Sequence, residues 1–369
     1  MILKITNSQL KIVAVLFIFW MISGCKQANG SDRNLPDKTV ESGKEVTAKI
    51  KEVVVGFYNV ENLFDTQDNP EKEDSEFLPE GRFKWDEAKY LKKLDNLALA
   101  IGGMGKNGPD ILGVAEVENM QVMKDLVEKT ALKTRGYEII HEESEDVRGI
   151  DVGLIYDPKI FQYVGHKAYN VDFPEESDYT SRPLLVVEGK IKGETLYVIV
   201  NHWPSRIGGE QESESRRLTV AKVAREKIVE ILAKDPNACI VSAGDFNDDP
   251  HNKSIVDIMN ARISAEGVVS GGFYNPVGAL HDPNGTGTLT YQGKWNLFDQ
   301  VLVSYGLMND GKGKLRYMEG SAAIHNPEFM QVGGDGPAKD MPKRAIYRNE
   351  FQDSGFSDHF PVYVRLIRK

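Results

Sequence analysis

Close to the end of the chain, "GFSDHFPV" places a carboxylate and an imidazole, Asp358 and His359, at the head of an apolar run that should only be closing a sheet. The association recurs. Asn59 and Glu61 follow "VVVGFY", Glu116 lies in "ILGVAEVEN", Asp151 opens "DVGLIYD", His202 closes "LYVIVNH", Asp245 and Asn247 close "ACIVSAGDFN", and Asp299 begins "DQVLVS". Each of these alone is an ordinary strand-end or turn residue. Brought together, the carboxylates would repel one another unless a cation or a shared proton compensated them. Carboxylate and amide oxygens with two imidazoles and no usable thiol suit a hard ion, Mg²⁺ with Mn²⁺ or Ca²⁺ as alternatives, better than structural zinc. Mg²⁺ keeps several waters and commonly handles phosphates. Arg182 in "TSRPLL" and Arg206 in "WPSRIGG" add guanidiniums placed as phosphate-facing groups.

Positioning such a set needs a rigid frame. The runs that carry the polar ends are short, rich in Val, Ile, Tyr and Phe, and bounded by Gly, Pro, Asn and Asp, which is the pattern of strands. Lys192-Gly193 reads as a hairpin turn. Two stretches have helical period: "WDEAKYLKKLDNLALAIGGM", with Leu91, Leu94, Leu97, Ala98 and Ile101 on its apolar face, and "RRLTVAKVAREKIVEILAKD", with Leu218, Ala221, Ala224, Ile228 and Ile231. Hairpins break strict β-α-β alternation and no internal repeat appears, so the expectation is one α+β domain over residues 52–369.

The first 51 residues read differently. Lys4 and Lys11 precede "IVAVLFIFWMI", too short for a comfortable membrane span, and "ISGC" follows. Residues 1–24 therefore read as a bacterial lipoprotein signal peptide, with Cys25 as the lipid-bearing residue and 25–51, polar and aperiodic, as a flexible tether. The other cysteine, Cys239, then has no disulfide partner and reads as a small buried hydrophobe.

In order and over about residues 52–366, "FYNVENLFD", "ILGVAEVEN", "GIDVGLIYDP", "VNHWPSR", "AGDFND", "NLFDQVLVS" and "GFSDHFPV" resemble the signatures of the endonuclease/exonuclease/phosphatase superfamily. The resemblance implies a four-layer α/β sandwich of two packed mixed sheets flanked by helices, with the site at one edge. It implies that His359 is a general base on water, with Asp299 fixing its tautomer, and that Glu116 is the principal metal-binding residue. Asn59, Glu61 and Asp358 complete the implied metal set. Asp245 and Asn247 match an Asp-x-Asn pair that orients water and binds a phosphate oxygen, and His202 matches a phosphate-binding or leaving-group imidazole. Asp151 is the candidate partner of His202.

The reaction these parts imply is phosphodiester hydrolysis. A net charge of −10 disfavours a broad basic groove, but "MPKRAIYRNE" concentrates Lys343, Arg344 and Arg348 in the segment leading to Asp358 and His359. The leading expectation is a monomeric, lipid-anchored envelope nuclease acting on DNA or RNA. A lipid or small-molecule phosphodiesterase or phosphatase is the alternative within the family, and a catalytically silent binding lipoprotein the alternative outside it.

Overall fold

All residues of the strand Val53–Leu63 but Asn62 are buried, a pattern that only a strand covered on both faces permits. In the computed structural model, which describes residues 52–176, 178–308 and 314–368, this strand, β1, lies inside the first of two seven-stranded sheets. The proposed signal peptide and tether lie outside the described residues.

The first sheet runs in the order β14 (Leu315–Tyr317), β18 (Val362–Arg368), β1, β2 (Ile111–Val117), β4 (Asp151–Tyr156), β3 (Glu138–His141), with β15 (Ala323–Ile324) also paired to β18. The second runs β5 (Gln162–Tyr169), β6 (Leu184–Ile191), β7 (Glu194–His202), β8 (Cys239–Asp245), β13 (Asp299–Ser304), β10 (Phe273–Tyr274), β9 (Ala261–Arg262). Both are mixed: β1 pairs parallel to β2 and antiparallel to β18, and β7 parallel to β8, which pairs antiparallel to β13. Two small hairpins, β11 (Leu289–Tyr291) with β12 (Lys294–Asn296) and β16 (Ile346–Tyr347) with β17 (Glu350–Phe351), stand apart from the sheets. Lys192 and Gly193 join β6 to β7 with φ of 51° and 84°, the left-handed pair that a two-residue hairpin turn requires.

Alternation along the strands builds three apolar layers. Val55, Phe57, Ala115, Val198, Val200, Val241, Ala243, Val301 and Val364 fill the space between the sheets. The outer face of the first sheet is covered by α1 (Glu87–Gly103) and α2 (Met120–Glu128), and that of the second by α3 (Glu214–Lys234). This is the four-layer sandwich. The Asp86 side chain caps α1 by accepting from Lys89 N at 3.0 Å. Leu91, expected on the apolar face of α1, is exposed, and Lys93 is buried in its stead; the buried stripe is rotated so that the amine reaches β1. Nine-residue α2 is not among the expected helices, although its buried Val122, Met123, Leu126 and Val127 recur at helical spacing and Asn119, whose Oδ1 accepts from Gln121 N and Val122 N, is an N-cap readable in "ENMQVM".

Cys239 is buried, as expected, and burial pushes its thiol up to about 12, far from the thiolate character that makes a cysteine reactive.

Candidate active site

The register of the second sheet aligns His202, Asp245 and Asp299. His202 on β7 pairs with Asp245 on β8, and Asp245 with Asp299 on β13. His202 and Asp245 follow Val200 and Ala243 by two residues and Asp299, on an antiparallel strand, precedes Val301 by two, so each continues the inter-sheet alternation and the inter-sheet core ends in this polar row. Gly244 permits the close pairing, since a Cβ there would lie 2.3 Å from the Asn201 carbonyl oxygen.

The first sheet meets the row with Asn59 and Glu116. The β1–β2 register breaks between Asn59 and Leu63, and Glu61, Asn62 and Glu116 take φ of 52°, 50° and 64°. Left-handed backbone at such residues costs on the order of 1–3 kcal/mol each and is held by its surroundings. Here the bulge aims Asn62 N at Glu116 Oε2, 2.9 Å away. Asn59 Nδ2 donates to Glu116 Oε1 and to Asp245 Oδ2, 3.1 Å in each case, and so ties the two sheets together. Its Oδ1 accepts from Glu61 N at 3.0 Å, so Asn59 shows the interior its donor side, which suits an anion better than a cation.

His359 enters from the turn before β18. Ser357 Oγ donates to the Asn59 carbonyl at 2.7 Å, His359 N donates to that hydroxyl at 3.1 Å, and Phe360 N bonds Thr288 O at 2.8 Å. Asp299 Oδ2 lies 2.7 Å from His359 Nδ1. With the proton on Nδ1, the Nε2 lone pair faces the site, 3.9 Å from both Asp245 Oδ2 and Asp358 Oδ1. Burial pulls the His359 pKa down, but Asp299, Asp358 and Asp245 outweigh it and hold the group well above its ordinary value. His202 goes the other way. Burial, reinforced by Arg182 and Arg148, holds it well below, and its Nε2 lies 3.8 Å from both Glu116 Oε1 and Asp245 Oδ2 while Nδ1 has no hydrogen-bond partner among the described residues. The two imidazoles are shifted in opposite directions, and a divalent cation among these carboxylates would offset the pull that keeps His359 protonated and free its Nε2 as a base.

A model of the Endonuclease/Exonuclease/phosphatase family matches residues 54–368. The chain belongs to that family. Its fold is similar to that of truncated TDP2 from Caenorhabditis elegans, at 18% identity with a TM-score of 0.51 over 86% of this chain and 98% of that one. It is also similar to the mannosyl-6-phosphatase Bt3783 of Bacteroides thetaiotaomicron VPI-5482, at 18% identity and TM-score 0.52 over 85% and 99%. An endonuclease/exonuclease/phosphatase family protein of Bacteroides thetaiotaomicron aligns at 16% identity and TM-score 0.51 over 86% and 95%. No curated protein sequence matches the chain. Members of the endonuclease/exonuclease/phosphatase family are metal-dependent phosphoesterases, which makes this chain an enzyme of that class.

The donor chemistry fits a divalent cation. Burial and then Asp358 raise the Glu61 carboxyl to about 8, against Lys93 and Arg344. Burial, with Asp299 adding and His359 opposing, raises Asp245 to about 7. This surplus of carboxylate at one edge is what a hard ion neutralises. Glu116 and Asp358 border this edge, with Glu116 Oε1 3.8 Å from His202 Nε2 and Asp358 Oδ1 3.9 Å from His359 Nε2, and the ligand atoms of Asp245, Asp299 and His359 lie within 4.8 Å of one another. Glu61 is engaged elsewhere: its Oε2 accepts from Ala345 N at 2.6 Å, and Oε1 lies 3.7 Å from Arg344 Nε.

The structure separates other expected members from the endonuclease/exonuclease/phosphatase site. Asp151 does not orient His202; its carboxylate lies 2.8 Å from His141 Nε2 and accepts from Ser144 N at 2.9 Å, so it is turned to the neighbouring strand β3 of its own sheet. Arg182 is not phosphate-facing either. It is buried, donating to Asp146 at 3.0 Å and to Trp203 O at 2.7 Å. Arg206 stacks over Phe298 and is tied to Asn247 O, Asp248, Asp249 and Asn252, so it braces the Asp245–Asn247 turn from behind. Asn247, at φ 49°, donates from Nδ2 to Trp203 O at 3.0 Å and from its backbone N to Asp245 Oδ1 at 2.9 Å. Its amide has one N–H left for a substrate oxygen.

Two cations not assigned to the site from sequence belong to it. Lys93 on α1 donates to the Glu61 carbonyl from full burial, and Arg344 donates to Asp358 Oδ2 at 2.6 Å. Lys93 was masked by its place in an amphipathic repeat. Arg344 was visible as charge, but nothing local in the sequence places it against Asp358.

Proposed function

We propose that this chain is a Mg²⁺-dependent phosphodiesterase whose substrate is nucleic acid, acting as a monomer held at a bacterial envelope by lipid on Cys25. The observation that carries the chemistry is the His359–Asp299 pair, with Nε2 directed at the space bounded by Asp245, Asp358 and His202. His359 takes a proton from water at Nε2, and Asp299 stabilises the imidazolium that forms. Asp245 orients that water. Asn247 Nδ2 and neutral His202 donate to phosphate oxygens, Asn59 Nδ2 holds the Glu116 and Asp245 carboxylates in place with both of its N–H groups, and Arg344 adds positive charge at the rim. A divalent ion on Glu116 and Asp358 would supply neutralisation of the phosphate charge.

The substrate is tested by incubating the full chain with plasmid DNA, RNA, bis-p-nitrophenyl phosphate and sphingomyelin, with Mg²⁺ and with EDTA. Release of acid-soluble nucleotides only with Mg²⁺ is the expected result. Turnover of the small diester or the lipid alone would move the substrate to the family's other chemistries, and silence on all four would leave a monoester substrate or a binding protein. The anchor has its own test: in a bacterial host, labelled palmitate should enter the wild-type chain and be absent from Cys25→Ser. Equal labelling of both would remove the lipoprotein reading.

A further inference from the structure

A cavity of about 500 Å³ opens beside Asp358 and Arg344, between β11 and the segment that carries the β16–β17 hairpin. Its volume falls in the range of about 300–1,000 Å³ usual for small-molecule sites, and it shares Asp358 with the catalytic cluster. We propose, building on the nucleic-acid reading above, that it is a base subsite: it takes one unstacked nucleobase on the nucleotide whose phosphate is cut.

The lining matches a flat, polar-edged ring. Tyr347 forms one wall, half exposed, with the Arg348 guanidinium 5.2 Å from its ring centroid; Val332 and Met341 are the apolar neighbours. Aromatic and thioether faces of this kind accept any base by stacking. Thr290 and Gln352 also line the cavity and can meet the hydrogen-bonding edge of a base, whereas an acyl chain would take their polar groups out of water without replacement. Arg344, which lines the cavity, donates to Asp358 Oδ2 at 2.6 Å on the side where the attached phosphate must lie, and Lys343 is a second lining cation.

The cavity is built on anchored backbone. Gln352 N bonds Ala345 O at 2.8 Å, Ala345 N bonds Glu61 at 2.6 Å, and Phe351 packs edge-on against buried Trp85 at 5.3 Å. Arg348 and Asn349, at φ 50° and 69°, form the two-residue turn that sets Tyr347 at the rim. A pocket for one base requires that base to leave its stack, so single strands and frayed ends are favoured over intact duplex.

The test measures binding of AMP, ribose 5-phosphate and dihexanoyl phosphatidylglycerol to the full chain in EDTA, where none is turned over, by saturation-transfer NMR. AMP should bind about tenfold more tightly than ribose 5-phosphate, with its base protons receiving the strongest transfer, and Tyr347→Ala and Met341→Ala should each shrink that advantage. Equal binding of the two sugars' phosphates, binding of neither, or tighter binding of the lipid overturns the subsite. If plasmid and RNA are cleaved but the base confers no advantage, the subsite alone fails. If the base confers its advantage but no polynucleotide is cleaved, the nucleic-acid reading fails and the base pocket stands.

Discussion

His359→Ala lowers kcat by about 10²–10⁴, the contribution of a positioned acid–base group, with little change in KM. The group is the only one in the described structure whose free ring nitrogen faces Asp245 and Asp358 at 3.9 Å while its other nitrogen is held by a buried carboxylate. Asp299→Asn is expected in the same range. An amide presents either an oxygen or an N–H to Nδ1, and the second choice puts the imidazole proton on Nε2, where it blocks proton uptake from water. Because the two residues act as a unit, the double variant His359→Ala with Asp299→Asn should be no slower than His359→Ala alone. Steady-state kinetics on the four proteins checks this, with thermal melts to show that each is folded. A double variant slower than His359→Ala by the full factor that Asp299→Asn costs alone would mean that Asp299 acts independently of the imidazole. An unimpaired His359→Ala would move the general base elsewhere.

The catalytic row was legible in the sequence because it follows from strand alternation. "VIVNH", "VSAGD" and "DQVLV" each put a polar residue on the face that the neighbouring valines and alanine bury, and parallel or antiparallel pairing needs only correct register to bring His202, Asp245 and Asp299 side by side. Motif order then supplied Asn59, Glu116 and His359, which the bulges and the Ser357 turn deliver. What the sequence left open were contacts made across long separations without a pattern. Asp151 and Arg182 sit in strand-flanking positions like the true site residues, but β4 carries Asp151 to His141, and Arg182 turns inward to Asp146 and Trp203 O. Arg206 is beside the site in the chain and behind it in space. The partners of Arg344 and Lys93 depend on where residues 343–345 and α1 settle against β1, which local propensity does not specify.

Glu116→Gln carries the second large effect, and it acts on the metal. Glu116 accepts from Asn59 Nδ2 at one oxygen and from Asn62 N at the other. An amide of the same shape can satisfy only one of these donors; the other then faces an N–H, and the charge that would hold a cation is gone. The metal concentration for half-maximal activity should therefore rise by about 10–100-fold, the scale of losses in metal sites whose supports are removed, and kcat should fall with it. Direct titration with Mn²⁺, followed by electron paramagnetic resonance, gives the same comparison without turnover. Glu61→Gln discriminates between the two glutamates. The Glu61 carboxylate is occupied by Ala345 N and faces Arg344, so its loss should loosen the segment that bears Arg344 and raise KM, while Mn²⁺ affinity changes much less than in Glu116→Gln. If both variants weaken Mn²⁺ equally, Glu61 is a ligand in its own right and must release Ala345 when the ion binds. If neither does, Glu116 serves only to hold the Asn59 and Asn62 bulge, and the ion sits on the Asp245, Asp299 and His359 cluster, whose ligand atoms lie within 4.8 Å of one another.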